Sequence, residues 1–104
     1  MQKESDIQKA ILKWLNIQEK TFAYRIHTTG VPIGITGKFR INYNKGIADI
    51  LGVKDGKAFA MEVKQEGKRA SDHQKAWLER FAGAHGAAFI VHSLDEASES
   101  FREV

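Results

Sequence analysis

Apolar residues recur at helical spacing from Ser5 to Glu19, where Ile7, Ala10, Ile11, Trp14 and Leu15 fall on one stripe and predict an amphipathic helix. The period then changes. Thr21 to Thr28 (TFAYRIHT) is short, aromatic and β-branched, and predicts a strand. Glycines at 30, 34 and 37 mark a loop, with a short extended piece, KFRINY, before Asn44. IADILGV-KDGK-AFAMEVK follows, two strand-like runs at 48–53 and 58–64 around Asp55-Gly56, a favoured hairpin dipeptide. Ser71 can cap a second helix reaching about Ala84, with Ala76, Trp77, Leu78 and Phe81 on its apolar side and Gly86 as its C-terminal stop. Ala87 to His92 predicts a fourth strand, and Leu94 to Arg102 a final helix.

The order is thus α-β-β-β-α-β-α. It predicts an α/β fold in which a mixed central sheet is flanked by helices, since the central strands are apolar on both faces. No Gly/Ser-rich linker divides the 104 residues, and there is one proline, so a single domain over 1–104 is expected. A chain this short builds a thin core, which a second copy could thicken.

Composition narrows the chemistry. Without cysteine, neither a disulfide framework nor a thiolate zinc site is available, and a reducing compartment is expected. Charges interrupt every apolar run, and no signal-peptide pattern is present; the expectation is a soluble, cytoplasmic protein with no membrane partner. Sixteen Lys and Arg against thirteen Asp and Glu leave a net charge of +3, compatible with a polyanionic partner and equally with a solvated basic surface. Gly30, Gly34 and Gly37 lead into neither GK[ST] nor a helix, so no nucleotide cofactor is expected. His27, His73, His85 and His92 lack metal-ligand spacing and read as structural or surface residues.

Candidate chemistry comes from the hairpin. A two-residue loop at Asp55-Gly56 sets Lys54 against Lys57, and paired residue numbers then place Asp49 directly opposite Glu62. A four-residue loop preserves this register, whereas a three-residue loop shifts it by one and sends the two acids to opposite faces. Opposed residues have Cβ atoms about 4.5–5.5 Å apart, where like charges destabilise a sheet, so a positive group belongs between them. Lys64, two residues beyond Glu62, shares its face. Paired hard-oxygen ligands suit Mg²⁺ or Mn²⁺, and acids, metal and lysine together match the needs of phosphodiester hydrolysis. The competing reading is an ordinary Glu62/Lys64 surface pair with Asp49 at a strand start.

These residues resemble the PD-(D/E)XK nuclease superfamily, and within it the small VRR-NUC (virus-type replication-repair nuclease) family. The resemblance rests on Gly46-Ile47-Ala48-Asp49-Ile50-Leu51-Gly52-Val53 followed by Phe59-Ala60-Met61-Glu62-Val63-Lys64. It extends to Glu4 with Ile7-Gln8 at the start of the chain and to Ser71 with Gln74 at the second helix. Ala48 stands where the family often has proline. The resemblance implies a restriction-endonuclease-like α-β-β-β-α-β core and a metal-dependent DNA nuclease. It implies Asp49, Glu62 and the Val63 backbone carbonyl as metal ligands, Lys64 as the catalytic lysine, and Glu4 as a supporting ligand, directly or through water. It further implies a homodimer acting on branched DNA, such as four-way junctions, in replication, repair or recombination.

Supporting residues carry two readings each. Glu4 continues the inward stripe of the first helix, but an acid there also complements the helix dipole. Gln74 stands three residues after Ser71, the spacing of a capping box, and the family places a glutamine here beside its active site. Lys38, Arg40 and Lys45 before Asp49, and Lys68 and Arg69 after Lys64, bracket the site and are candidate DNA-phosphate contacts, although a solvated role serves each one alone. Tyr24, Phe39 and Tyr43 could stack on bases, but a thin core more often claims its aromatics. The expected function is therefore a structure-specific endonuclease. Its rivals are a non-catalytic nucleic-acid-binding module on the same scaffold and a sequence-specific restriction-type nuclease.

Overall fold

The computed structural model describes residues 2–26, 32–33, 38–39 and 46–104, with the backbone alone at 32–33 and 38–39. Helix α1 runs Glu4–Asn16 and buries Ile7, Ile11 and Leu15, a narrower stripe than the sequence predicts, because Ala10 faces solvent. It stops three residues earlier than expected. The Asn16 side chain accepts from Ala23 N–H at 2.9 Å and donates to the Ala23 carbonyl at 2.9 Å, and Lys20 turns the chain with φ +55°. A side-chain amide thus pairs with the next strand as a backbone would, and ties the helix end to it.

Strand β1 is Thr21–Arg25, β2 Pro32–Ile33 and β3 Lys38–Phe39; the last two pair with each other as a short antiparallel ribbon. The rest of the predicted loop and of KFRINY, including Gly30, Gly34, Gly37 and His27, lies outside the described residues. Strands β4 (Ile50–Lys54) and β5 (Lys57–Val63) form the predicted hairpin. Lys54 pairs with Lys57 and Ile50 with Met61, and Asp55 and Gly56 both take positive φ (47° and 84°), as a two-residue type I′ turn demands. The register is the one that sets Asp49 against Glu62.

Helix α2 (Asp72–Gly83) starts at the Ser71 cap, β6 is Ala87–Val91 and α3 is Leu94–Arg102. The stop of α2 differs from expectation. His85, not Gly86, takes the left-handed conformation (φ +71°), and His85 N–H and Gly86 N–H close on the Ala82 and Phe81 carbonyls. That is the Schellman hydrogen-bond pattern with histidine at the left-handed position. Gly86 is glycine for another reason: a Cβ there would run into the Phe81 ring.

The main sheet has the order β1-β4-β5-β6, antiparallel except for the parallel β5–β6 pair. With β2–β3 inserted after β1, its elements reproduce the predicted α-β-β-β-α-β core and the α/β class. Strand alternation divides the core in two. Ile50, Phe59, Met61, Val63 and Val91 face α1 and α3, meeting Ile11, Leu15 and Phe101. Ala48, Ala60, Leu51 and Ala88 lie on the other face under Leu78, Trp77 and Phe81 of α2; Ala76, expected on that apolar side, is exposed. Lys54 Nζ donates to the Phe101 carbonyl at 2.7 Å and lies 4.3 Å from the Phe101 ring centroid, which fastens the C-terminal end of α3 to the sheet. Among the described residues, no helix is long and apolar enough to cross a membrane.

One glycine positions the loop that leads into Asp49. Gly46 has φ +85°, and a Cβ on it would collide with the His73 carbonyl at the start of α2. Gly67 has nearly the same φ, +84°, with open space around it. Both Ala variants carry the left-handed cost of about 1–2 kcal/mol. Chemical denaturation should therefore show Gly46→Ala less stable than Gly67→Ala by at least about 1 kcal/mol, the cost of prising the loop from α2. Equal losses would mean that this contact does not hold the loop.

Candidate active site

Asp49 immediately precedes β4, and its carbonyl accepts from Ile26 N–H at 2.8 Å, extending the β1–β4 pairing by one residue. Its side chain reaches across the hairpin, where Oδ2 accepts from Val63 N–H at 2.8 Å. Glu62 sits on β5 between the core residues Met61 and Val63, and alternation turns it to the α2 face. It is 1% exposed, the one buried charged side chain among the described residues.

Burial is the largest cause pushing the Glu62 carboxyl up from 4.5 to about 9; the adjacent Asp49 side chain adds to it, Lys64 opposes it, and Glu4 contributes a smaller push upward. Asp49, Lys64 and Glu4 are thus the charged groups that act on Glu62. Glu4, half-buried at the first turn of α1, is within electrostatic reach of Glu62. Among the described residues, no three acids or histidines converge on one point, so Asp49 and Glu62 stand as a pair and Glu4 is not a third member of a preformed cage.

Gln74 does both things that the sequence left as alternatives. Its Oε1 accepts from Ser71 N–H at 2.8 Å, and its own N–H donates to Ser71 Oγ at 3.2 Å, completing the capping box. Its Nε2 donates to Glu62 Oε1 at 3.3 Å. One end of the amide holds the helix start and the other orients the buried carboxylate. Glu62 Oε2 has no hydrogen-bond partner.

That orphaned oxygen tests whether a cation fits. A buried carboxylate oxygen without a donor costs free energy, and Lys64 offsets only part of the repulsion between Asp49 and an ionised Glu62. Mg²⁺ and Mn²⁺ are held by one or two carboxylates with water completing the shell, so the donor set present here fits such an ion. Val63, expected to offer its carbonyl, lies on β5, where its N–H engages Asp49 and its side chain is buried.

Lys64 is half-buried, and its N–H continues the β5–β6 pairing through the Val91 carbonyl at 3.0 Å. Lys68 and Arg69 are exposed after it. Lys38 is described by its backbone in β3 only, and Arg40 and Lys45 lie outside the described residues, as does Tyr43. Tyr24 is not core: it is half-exposed beside the more exposed Phe22, with ring centroids 6.0 Å apart. Sequence reasoning missed His92, whose Nδ1 lies 3.0 Å from Glu96 Oε1 and Nε2 3.2 Å from the Lys68 carbonyl. Only the four-residue spacing of His92 and Glu96 hinted at the pair, since its other partner is a main-chain atom.

A four-stranded mixed sheet between helices, with Asp49, Glu62 and Lys64 on its central hairpin, makes this an α/β domain of the expected element order. Two solved structures share this fold over nearly the whole chain. One, described as a VRR_NUC domain, matches at TM-score 0.68 and 20% identity, over 98% of this chain and 97% of its own. The other, a VRR_NUC domain protein, matches at TM-score 0.68 and 17% identity, over 97% of this chain and 86% of its own. No family model matches the sequence, and no curated protein matches it. At these identities the likeness is one of fold, and it agrees with the resemblance carried by the hairpin motif.

The raised Glu62 carboxyl sets a pH dependence. A folded-state value above the unfolded one means that the stabilising contribution is complete below 4.5 and is lost as pH rises toward about 9. In chelator, the denaturation midpoint should fall steadily across that window. His92 is also raised, chiefly by its hydrogen bond to Glu96, and slopes the same way, so the comparison with Glu62→Gln isolates Glu62. The variant should show a much flatter profile; parallel profiles would show that Glu62 is not the proton holder.

Proposed function

We propose that this chain is a metal-dependent DNA endonuclease that hydrolyses phosphodiester bonds. The observation that carries the reading is the juxtaposition of Asp49 with the buried Glu62, one of whose oxygens has no partner, on a hairpin that also bears Lys64. The fold shared with VRR_NUC domains supports it.

In this reading Asp49 and Glu62 hold Mg²⁺ or Mn²⁺ together with the Val63 carbonyl, and Glu4 assists directly or through water. When bound, the ion supplies Lewis acidity and a water of lowered pKa. Glu62 gives up its proton on binding, which makes affinity rise with pH. Gln74 fixes the direction in which Glu62 presents its free oxygen. Lys64 orients the attacking water or offsets charge that develops on the phosphoryl oxygens. Lys38, Arg40, Lys45, Lys68 and Arg69 contact DNA phosphates. A small domain has little surface for a long sequence code, which favours recognition of shape; branched DNA, cut by a homodimer during replication, repair or recombination, is the substrate that best suits it.

Labelled duplex, nicked, flap and four-way-junction DNA, each incubated with and without Mg²⁺ or Mn²⁺, tests the proposal. Cleavage should require metal, favour branched DNA, and fall by about 10²-fold or more in Asp49→Ala and Lys64→Ala. Binding without cleavage under both metals would make the chain a non-catalytic module. Metal-dependent cutting that survives Asp49→Ala would put the site elsewhere.

A further inference from the structure

Beyond the acid pair, cations gather at the same end of the sheet. Lys68, Arg69, Ala70, Lys75, Ile90 and His92 line an open depression of about 410 Å³, within the size range of small-ligand sites, about 300–1,000 Å³. Lys68 and Arg69 come from the segment after β5, Lys75 from the first turn of α2, Ile90 from the end of β6 and His92 from the residue that follows it. Among the described residues, neither Lys68, Arg69 nor Lys75 has a carboxylate within 4.0 Å, so their charges converge without being neutralised.

His92 fastens this arrangement. Both of its ring nitrogens face acceptors, Glu96 Oε1 and the Lys68 carbonyl, and only the doubly protonated imidazolium donates to both. The acids that face it are Glu96 and Glu66. In that form the ring ties the main chain carrying Lys68 and Arg69 to the residue that follows β6. The depression also adjoins the acid pair, because Ile90 stands opposite Glu62 in the parallel β5–β6 register, one strand spacing of about 4.8 Å away.

We infer that this depression is a subsite for a backbone phosphate of the nucleic-acid strand, gripped by Lys68, Arg69 and Lys75, with Ile90 against the sugar and His92 as the positioning residue. The inference rests on the nuclease reading for the identity of the strand, and adds Lys75 and His92 to the surface that receives it. The phosphate can be internal to a strand or at its 5′ end; both present non-bridging phosphate oxygens, two on the internal diester and three on the terminal monoester.

Fluorescence anisotropy with a labelled single-stranded oligonucleotide, in chelator and across about 50–200 mM salt, tests it without cleavage. Removing three phosphate contacts with K68A/R69A/K75A should lower the slope of log affinity against log salt by about 2. K9A/K13A/R102A removes the same charge from exposed positions on α1 and α3, and should leave the slope nearly unchanged. His92→Ala keeps Lys68, Arg69 and Lys75, and should lower the slope by more than the roughly 0.7 that the loss of its own single charge could account for, in a chain that circular dichroism shows still folded. Oligonucleotides with and without a 5′-phosphate separate the two sources: equal slopes mean an internal phosphate, and a drop confined to the phosphorylated strand means a terminal one. Equal effects of the two triple variants, or none, would overturn the subsite alone. A wild-type chain that binds neither this oligonucleotide nor a four-way junction at the lowest salt would overturn the nuclease reading as well.

Discussion

Two carboxylates held against each other across a hairpin, one of them buried, is the constraint around which the rest of this fold is arranged. Left alone, Asp49 and Glu62 would push the hairpin apart. Asp49 is held by a main-chain N–H on the opposite strand, Glu62 by the amide of Gln74, and Lys64 lowers the cost from the same face. What remains unsatisfied, a buried oxygen and an excess of negative charge, is complementary to a small hard cation. Keeping Glu62 among apolar neighbours raises its carboxyl to about 9, so the protonated acid and the cation-bound carboxylate are the two ways of settling the same deficit.

The sheet separates this polar work from the work of stability. The face toward α1 and α3 takes the large side chains, Phe59, Met61, Val63 and Ile50, and packs them against Phe101 and the α1 stripe. The face toward α2 is lined by small residues, Ala48, Ala60 and Ala88, which lets the helix approach closely and brings its first turn over Glu62. Gly46 belongs to the same arrangement, since its missing Cβ admits the α2 backbone next to the loop that carries Asp49. Where α2 does not reach, over β1 and the outer part of β4, Phe22, Tyr24 and Val53 stay exposed on that face.

Much of this was legible before any coordinates. The stripe of Ile7, Ile11 and Leu15, the Asp55-Gly56 turn and the Ser71 cap are local signals, each deciding the conformation of the residues that carry it. The hairpin was the most informative, because a two-residue turn transmits its register along both strands and so sets Asp49 against Glu62 without any long-range contact. Misreadings arose where a distant partner intervened. Asn16 ends α1 early by bonding to β1, and Gly86 is demanded by the Phe81 ring while His85 takes the left-handed turn. Tyr24, expected in the core, is left outside because the helix that could cover it packs over other strands.

By itself, then, the sequence determined the order of elements, the register of the hairpin and the identity of the acid pair with its lysine. These follow from spacing and turn chemistry, which act over a few residues. Tertiary structure decided how deeply Glu62 is buried, that Gln74 serves the helix cap and the carboxylate at once, and that His92 reaches back to the Lys68 carbonyl. Each of those depends on which face of the sheet α2 covers and on the parallel placement of β6 beside β5, and no local pattern encodes where elements far apart in the chain come to rest.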